Sequence, residues 1–513
     1  METEFKFCIP PERLKAVEAA VRRGAVVRTR LQARYFDTAD HALAAQGIVL
    51  RLRKEGRRWV QTVKAAGGGP LQRLEHNVDL GVARGGNEPV PDPLRHAGTP
   101  VGDRLAQALA DAGAPLLPTY GTDIWRLTRQ VRAEGSTVEL ALDLGRIVAQ
   151  PADGSAPREA AVRELELELV RGGVQGLAAL ARRWAQAHGL WFSTVSKAER
   201  GTRLLAGQEA VPAVKASPPR FDAADAADAP SGRAIQRAVV AACLAQILPN
   251  ASEIAAGSED AEQIHQLRIG IRRLRTALRE LGPLGGPDFA APAWEPPLVD
   301  AFRALGARRD RDEVLVGAQA QLQAAGGPLP ALPPDDDSAP SPGAVARASA
   351  FQGVLVALIG FAAGDAAADG EGLDADAART HVRGRLQRLH ARTVRDGKRF
   401  AALSPDDQHR VRKRLKRLRY LAEFVAPLFD ARAAARYLDR LRPAQDALGT
   451  YNDEVVALAA YRELAAQDPL AWFAVGWFSG RQPALAQACV KPLHRIGKGP
   501  RFWKKNKGKD KGG

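Results

Sequence analysis

Charged and apolar positions alternate with a period of two along the first 200 residues. Glu2, Glu4 and Lys6 alternate with Thr3, Phe5 and Phe7. Arg51 and Arg53 flank Leu52, Thr62 and Lys64 share a parity, and Arg73 and Glu75 flank Leu74. Thr122 matches Arg126, and Glu139 matches Asp143. In RELELELV (163–170), Glu164, Glu166 and Glu168 fall on one side and Leu165, Leu167 and Leu169 on the other. A helix would scatter these residues around its axis, whereas successive side chains of a strand point to opposite faces. The pattern predicts a set of strands, each with one charged face.

Two arrangements would accommodate those faces. In a flat antiparallel sheet with helices on its apolar side they meet water. Closed into a barrel they line a lumen, and the apolar faces turn outward. The barrel would gather Lys6, Arg51, Arg53, Lys64, Arg73 and Arg126, and the planar donor fork of arginine suits phosphate oxygens. It would also gather Glu2, Glu4, Asp143, Glu166 and Glu168, hard oxygen ligands suited to Mg²⁺ or Mn²⁺. Unpaired charge in a narrow cavity is costly, so such a lining implies mutual pairing and bound ions.

Seven motifs then follow in order: E-x-E-x-K (2–6), RLR (51–53), QTVKA (61–65), TDIWR (122–126), LALDLG (140–145), ELELEL (164–169) and SKAERG (196–201). Together they resemble the CYTH domain, the triphosphate tunnel metalloenzyme superfamily, over residues 1–205. The resemblance implies an eight-stranded antiparallel β tunnel with helices that binds a linear triphosphate and divalent metal, Mg²⁺ or Mn²⁺. It implies Glu2, Glu4, Glu166 and Glu168 as metal ligands, with Asp143 a further candidate. Lys6, Arg51, Arg53, Lys64, Arg73, Arg126 and Lys197 become the phosphate contacts, and Glu2, Glu4, Lys6, Glu166 and Glu168 the catalytic set. Three glutamates share one face of the 164–168 run, which leaves their individual roles open.

Beyond SKAERG the pattern changes. Residues 206–231, rich in Ala, Pro, Asp and Ser, read as a linker. From Gly232 the period becomes helical: Ile264, Leu267, Ile271, Leu274 and Leu278 recur at three- and four-residue steps. The helical part also repeats itself. IHQLRIGIRRLRTALREL (264–281) aligns with QHRVRKRLKRLRYLAEFV (408–425), and the two lead to LGARRD (305–310) and LGTYND (448–453). This predicts a duplicated all-α bundle over 232–497, with halves at about 232–325 and 345–497. On one face of the first helix lie His265, Arg268, Arg272 and Arg275; His409, Arg412, Lys413, Lys416 and Arg419 are the counterparts. A solvated charge stripe is the plain reading, but like charges one turn apart repel, and an anion would offset the repulsion. Asp310 and Asp453 stand ready to orient some of these cations. The segment resembles the CHAD domain, which implies inorganic polyphosphate bound in a basic channel between the repeats.

The chain has 513 residues, too many for one ordinary core. Its net charge of +16 predicts an anionic partner. Its three cysteines, Cys8, Cys243 and Cys489, are scattered and have no metal-site spacing, which fits a reducing, cytoplasmic setting. The apolar runs at 354–364 and 470–478 are too short to span a bilayer, so no membrane insertion is expected. There is no G-x-x-x-x-G-K-[ST] loop of a P-loop nucleotidase and no base-reading motif of a specific nucleic-acid binder. The tail, 498–513, rich in Lys and Gly, reads as disordered. The expected fold is therefore α+β, a β tunnel followed by a helical bundle, and the expected activity is metal-dependent hydrolysis of inorganic triphosphate to pyrophosphate and phosphate. A polyphosphate-binding protein with little turnover is the main alternative. Organic triphosphate chemistry, on a nucleotide or thiamine triphosphate, is another, and it would need a base or thiazole pocket.

Overall fold

The structure is a computed structural model that describes residues 2–67, 71–82, 88–151, 154–208, 211–221, 229–285, 291–332, 339–364 and 372–504. The side chains of Glu2 and Asp310 lie outside the described part, as do stretches of the expected linker, residues 333–338 and residues 505–513 of the tail. Backbone contacts divide the chain into two compact units. The first comprises Met1–Lys215, Leu244–Leu267 and Pro342–Asp365; the second comprises Ala216–Cys243, Arg268–Ser341 and Ala366–Gly513. The division does not follow the sequence boundary, since two helical stretches from beyond residue 231 group with the strands.

The first unit is built on nine strands: β1 (Glu2–Cys8), β2 (Val27–Asp37), β3 (Ile48–Glu55), β4 (Arg58–Ala66), β5 (Gln72–Val82), β6 (Leu117–Ala133), β7 (Ser136–Ala149), β8 (Arg158–Arg171) and β9 (Trp191–Phe192). They hydrogen-bond in the order β5-β4-β3-β2-β6-β7-β8-β1-β9. A further antiparallel pairing of β1 with β5, Glu2 opposite Arg73, closes β1–β8 into a barrel. The β6–β7 hairpin turns on Glu134 and Gly135, both at positive φ (47° and 76°), the twist a two-residue connection between right-twisted strands requires.

The outward apolar faces are covered by helices: α1 (Leu14–Val21), α2 (Ala42–Ala45), α3 (Pro100–Ala112) and α4 (Val174–His188). Leu50 and Val63 pack under Leu105 and Ala108 of α3, and Phe5 and Phe7 meet Phe192 edge to face at about 6 Å. α5 (Lys197–Ala206) behaves differently. Its Leu204 packs on Leu31, Ile124, Ile147 and Val162; Ile124, Ile147 and Val162 share the strand parity of Arg126, Asp143 and Glu164. The interior is thus apolar where α5 covers it and charged beyond.

The helices that follow are α6 (Gly232–Ala256), α7 (Ala261–Leu281), α8 (Ala291–Ala324), α9 (Pro342–Arg347), α10 (Ser349–Ala363), α11 (Ala375–Gly397), α12 (Pro405–Val425), α13 (Ala431–Leu464) and α14 (Ala471–Ile496). Within the first unit α10 lies on α4 closely enough that a Cβ on Gly360 would come within 2.5 Å of Ala178. α6 is, by length and composition, apolar enough to cross a membrane, a run the sequence reading passed over. However, 72% of its most apolar window is buried inside the protein, as in a core helix.

The duplication is visible in the helix lengths: α7 and α12 have 21 residues each, and α8 and α13 have 34 each. Side-chain caps start three of the helices: Asp374 for α11, Ser404 for α12 and Asp430 for α13 accept backbone N–H bonds. α12 buries Val411, Leu415, Leu418, Ala422 and Val425 along one stripe, leaving the arginines and lysines on the other side. The tail departs from expectation. Residues up to Lys504 are placed, and Trp503, 2% exposed, packs on His390 and Tyr437, because two aromatic side chains in a Lys- and Gly-rich run find an apolar seat.

Candidate active site and anion cavity

The alternating residues of β1, β3–β5 and β6–β8 converge on one cavity of about 460 Å³ inside the barrel. Glu4, Lys6, Arg51, Arg53, Lys64, Arg73, Arg126, Asp143, Glu166, Glu168 and Lys197 all line it. Strand register sets who faces whom: Lys6 lies opposite Glu166, Glu4 opposite Glu168, and Arg126 opposite Asp143.

Three glutamates with one parity acquire three different surroundings. Glu164, 1% exposed, is bound by Lys197 (2.7 Å) and Arg200 (2.9 Å), which makes it part of the wall. Glu166 accepts from Lys197 (2.6 Å) and Arg126 (2.5 Å). Burial opposes its ionisation, but Lys197 and Arg126 hold its carboxyl well below the usual range. Glu168 sits across from Glu4, and burial followed by the Glu4 charge pushes its carboxyl up. Glu4 is likewise pushed up, by burial and then by Glu166.

Arg126 forks onto Asp143 with two bonds of 2.6 Å, and Lys197 reaches Asp143 at 2.9 Å. Asp143 thereby orients two cations at the wall of the lumen. Lys197 owes its place to the first turn of α5, where the Ser196 hydroxyl caps the helix by accepting the Glu199 N–H. Its ammonium is held well above the usual range; burial works against the charge, and Asp143, Glu164 and Glu166 reverse that. Lys64 pairs with Glu75 at 2.6 Å, Arg73 lies 3.7 Å from Glu4, and Lys6 donates to the Val195 carbonyl. Arg53, bonded to Glu55, is pushed down to about 10 by burial and the adjacent Arg51 charge.

Glu4 and Glu168 face each other directly, with the ionised Glu166 close by, and burial followed by these like charges pushes both of their carboxyls up. A divalent cation would supply a counter-charge, so these residues fit the expected metal. Among the described residues no three of His, Cys, Asp and Glu are gathered closely enough to enclose an ion unaided.

Tyr35, Glu75 and Asn77 also line the cavity, and Glu164 and Arg200 brace it. Glu75 and Glu164 shared a parity with named neighbours, and Arg200 lies within SKAERG, so a signal existed for these three. Tyr35 had none, because the arginines of β2 point away from the lumen: Arg28, Arg30 and Arg34 are exposed. Trp125 is also outside, with the Arg28 guanidinium 3.9 Å from its ring centre.

In the second unit a cavity of about 620 Å³ collects Arg268, Arg272, Arg275, Arg279, His409, Arg412, Lys413, Lys416 and Arg417, with Glu295 and Asp453 on its wall. Glu295 takes Arg275 at 3.0 Å and Arg279 at 3.4 Å. Two expected members are not among its lining residues. Arg419 turns to Glu423 (2.6 Å) and Gln445 (2.8 Å), and His265 belongs to the part of α7 in the first unit. Burial and then Lys413 and Arg412 push His409 below its usual range, so near neutral pH it is an uncharged hydrogen-bonding group.

A closed antiparallel barrel with a lumen of cations and carboxylates defines the class of triphosphate tunnels. Residues 1–202 match the CYTH domain and residues 238–462 the CHAD domain, so the chain carries an N-terminal CYTH domain and a C-terminal CHAD domain. Over 173 residues it is 31% identical to the inorganic triphosphatase of Haemophilus influenzae, a match spanning 33% of this chain and 44% of that protein. The chain thus spans less than half the length of this curated relative. Among solved structures, the CHAD domain from the plant Ricinus communis is 25% identical, with 56% of this chain and 97% of that one covered and a TM-score of 0.43. An adenylyl cyclase candidate from Hippeastrum, described as having a dominant triphosphatase activity, is 17% identical, with coverage of 41% and 98% and a TM-score of 0.30.

Proposed function

We propose that the barrel hydrolyses inorganic triphosphate to pyrophosphate and phosphate, and that the helical unit binds inorganic polyphosphate in its basic cavity. The observation that carries the reading is the composition of the lumen, in which cations and carboxylates from seven strands meet on one polar space. Cations alone would suffice to bind a polyanion, and Glu4, Glu166 and Glu168 would weaken such binding. Their retention favours catalysis. Tyr35 is the one aromatic among the lining residues, and its ring is stacked on Tyr120 at 4.6 Å, which leaves little to clamp a nucleobase or thiazole.

Lys6, Arg51, Arg53, Lys64 and Arg73 hold the phosphate oxygens, and Arg126 and Lys197, preset by Asp143, keep Glu166 ionised and oriented. Mg²⁺ or Mn²⁺ held by Glu4, Glu166 and Glu168, with Glu2 as the further ligand the motif supplies, would neutralise phosphate oxygens and make water a better nucleophile. The arginines stabilise charge that develops on the leaving pyrophosphate. The three cysteines are unpaired, in keeping with a cytoplasmic setting. The test is phosphate release from tripolyphosphate with Mg²⁺ or Mn²⁺, for the intact protein and Glu4→Gln, with ATP as a competitor. Metal-dependent release lost in the variant supports the reading. A preference for ATP, or silence on both substrates, overturns it.

A further inference from the structure

A second cavity of the helical unit, about 750 Å³, adjoins the basic one, and Arg268, Phe302 and Val456 line both. Beyond those shared residues the lining turns more apolar: Leu315, Leu332, Ala460, Tyr461 and Leu464 line it, with Arg303, Glu463 and Gln467 as its further polar groups. A space of this size with mainly apolar walls and a few polar groups is typical of small-molecule sites. The Tyr461 ring is fully buried, and its hydroxyl has no hydrogen-bond partner among the described residues. A buried hydroxyl of this kind calls for a bound molecule or water to satisfy it.

The junction is built rather than incidental. Arg268 is 4% exposed and lies with its guanidinium carbon 5.1 Å from the Phe302 ring centre. Gly306 makes room for it, since a Cβ there would come within 2.7 Å of its Nη2. Cation and aromatic ring thus stand side by side where the polar and apolar spaces meet.

We propose that the second unit binds an amphiphile with a phosphate or diphosphate head and a single apolar chain, the head in the basic cavity and the chain in the adjoining apolar one. The inference rests on reading the basic cavity as a phosphate site and adds a class of ligand to it. Burial of each methylene strengthens binding several-fold, so an alkyl phosphate gains over a short one in proportion to the chain enclosed.

The test is calorimetric titration of the full-length protein with methyl, hexyl and decyl phosphate below their micelle concentrations, and separately with polyphosphate. Affinity should rise by roughly tenfold or more from hexyl to decyl phosphate. Ala460→Phe, which fills the apolar space, should abolish that rise and leave polyphosphate binding unchanged. Leu332→Trp, at another residue lining the same space, serves the same purpose should the first variant fail to fold. Equal affinity for all three chains overturns the proposal, as does a rise that persists in both variants. Polyphosphate that fails to bind while the chain dependence holds would instead overturn the polyphosphate reading and leave the amphiphile site standing.

Discussion

Arg273 and Arg417, equivalent positions of the duplicated helices, each reach across to a glutamate on the other helix. Arg273 of α7 pairs with Glu423 of α12, and Arg417 of α12 lies 3.6 Å from Glu280 of α7. Each glutamate also takes a second arginine: Arg419 at Glu423 and Arg385 at Glu280. Glu280 is fully buried. Replacing Arg385 with methionine leaves that carboxylate with one distant partner, and breaking a buried pair from one side is expensive. Chemical denaturation should show a loss of about 3 kcal/mol. Arg442→Met, which removes an exposed pair with Asp439, should cost little.

Lys197 serves three carboxylates at once, at 2.9 Å, 2.7 Å and 2.6 Å. Lys197→Met should lower triphosphate turnover by roughly 100-fold or more, in line with the loss of one well-placed charge-stabilising group. It should also lower the thermal midpoint, because Asp143, Glu164 and Glu166 then repel one another. Lys197→Arg should recover part of the stability and less of the rate. Phosphate release and thermal unfolding on the same samples separate the two effects.

The basic cavity predicts salt-sensitive retention of polyphosphate. Arg272 and Lys416 both line it and neither lines the tunnel. Arg272→Ala with Lys416→Ala should weaken polyphosphate binding, flatten its dependence on salt and leave the triphosphatase rate within about twofold, a small change on the free-energy scale of kinetics. Equal collapse of turnover would mean that the two sites are not separate.

Acid should loosen the seat of the C-terminal segment. His390 is pushed down to about 4 by burial and then by the charges of Arg501 and Arg440; its Nδ1 lies 2.9 Å from the Tyr437 hydroxyl. The unfolded chain, with an ordinary value of 6.5, takes up its proton first as pH falls. The stability contributed by neutral His390 is therefore whole above pH 6.5 and lost progressively towards pH 4. Unfolding midpoints across that window should fall in the native protein and fall less in His390→Gln.

The tunnel was legible because a period of two is a strong signal wherever one face is charged. Lumen positions on β1, β3, β4, β5, β6, β7 and β8 could be read that way, down to Lys6 and Arg126. On β2 the same logic would mislead, for its arginines face solvent and Tyr35 faces inward. The sorting of Glu164, Glu166 and Glu168 was not legible, since it depends on Lys197 and Arg200 arriving on a helix remote in sequence. Arg419 fitted the helical stripe, but Glu423 one turn on claims it. The ordered Phe502 and Trp503 were hidden in a composition that otherwise signals disorder.

The 21- and 34-residue helix pairs bear on how a guest could enter. An unbranched polyphosphate reads the same from either end. A host made of two copies of one motif shares that property, and so need not distinguish a chain's head from its foot.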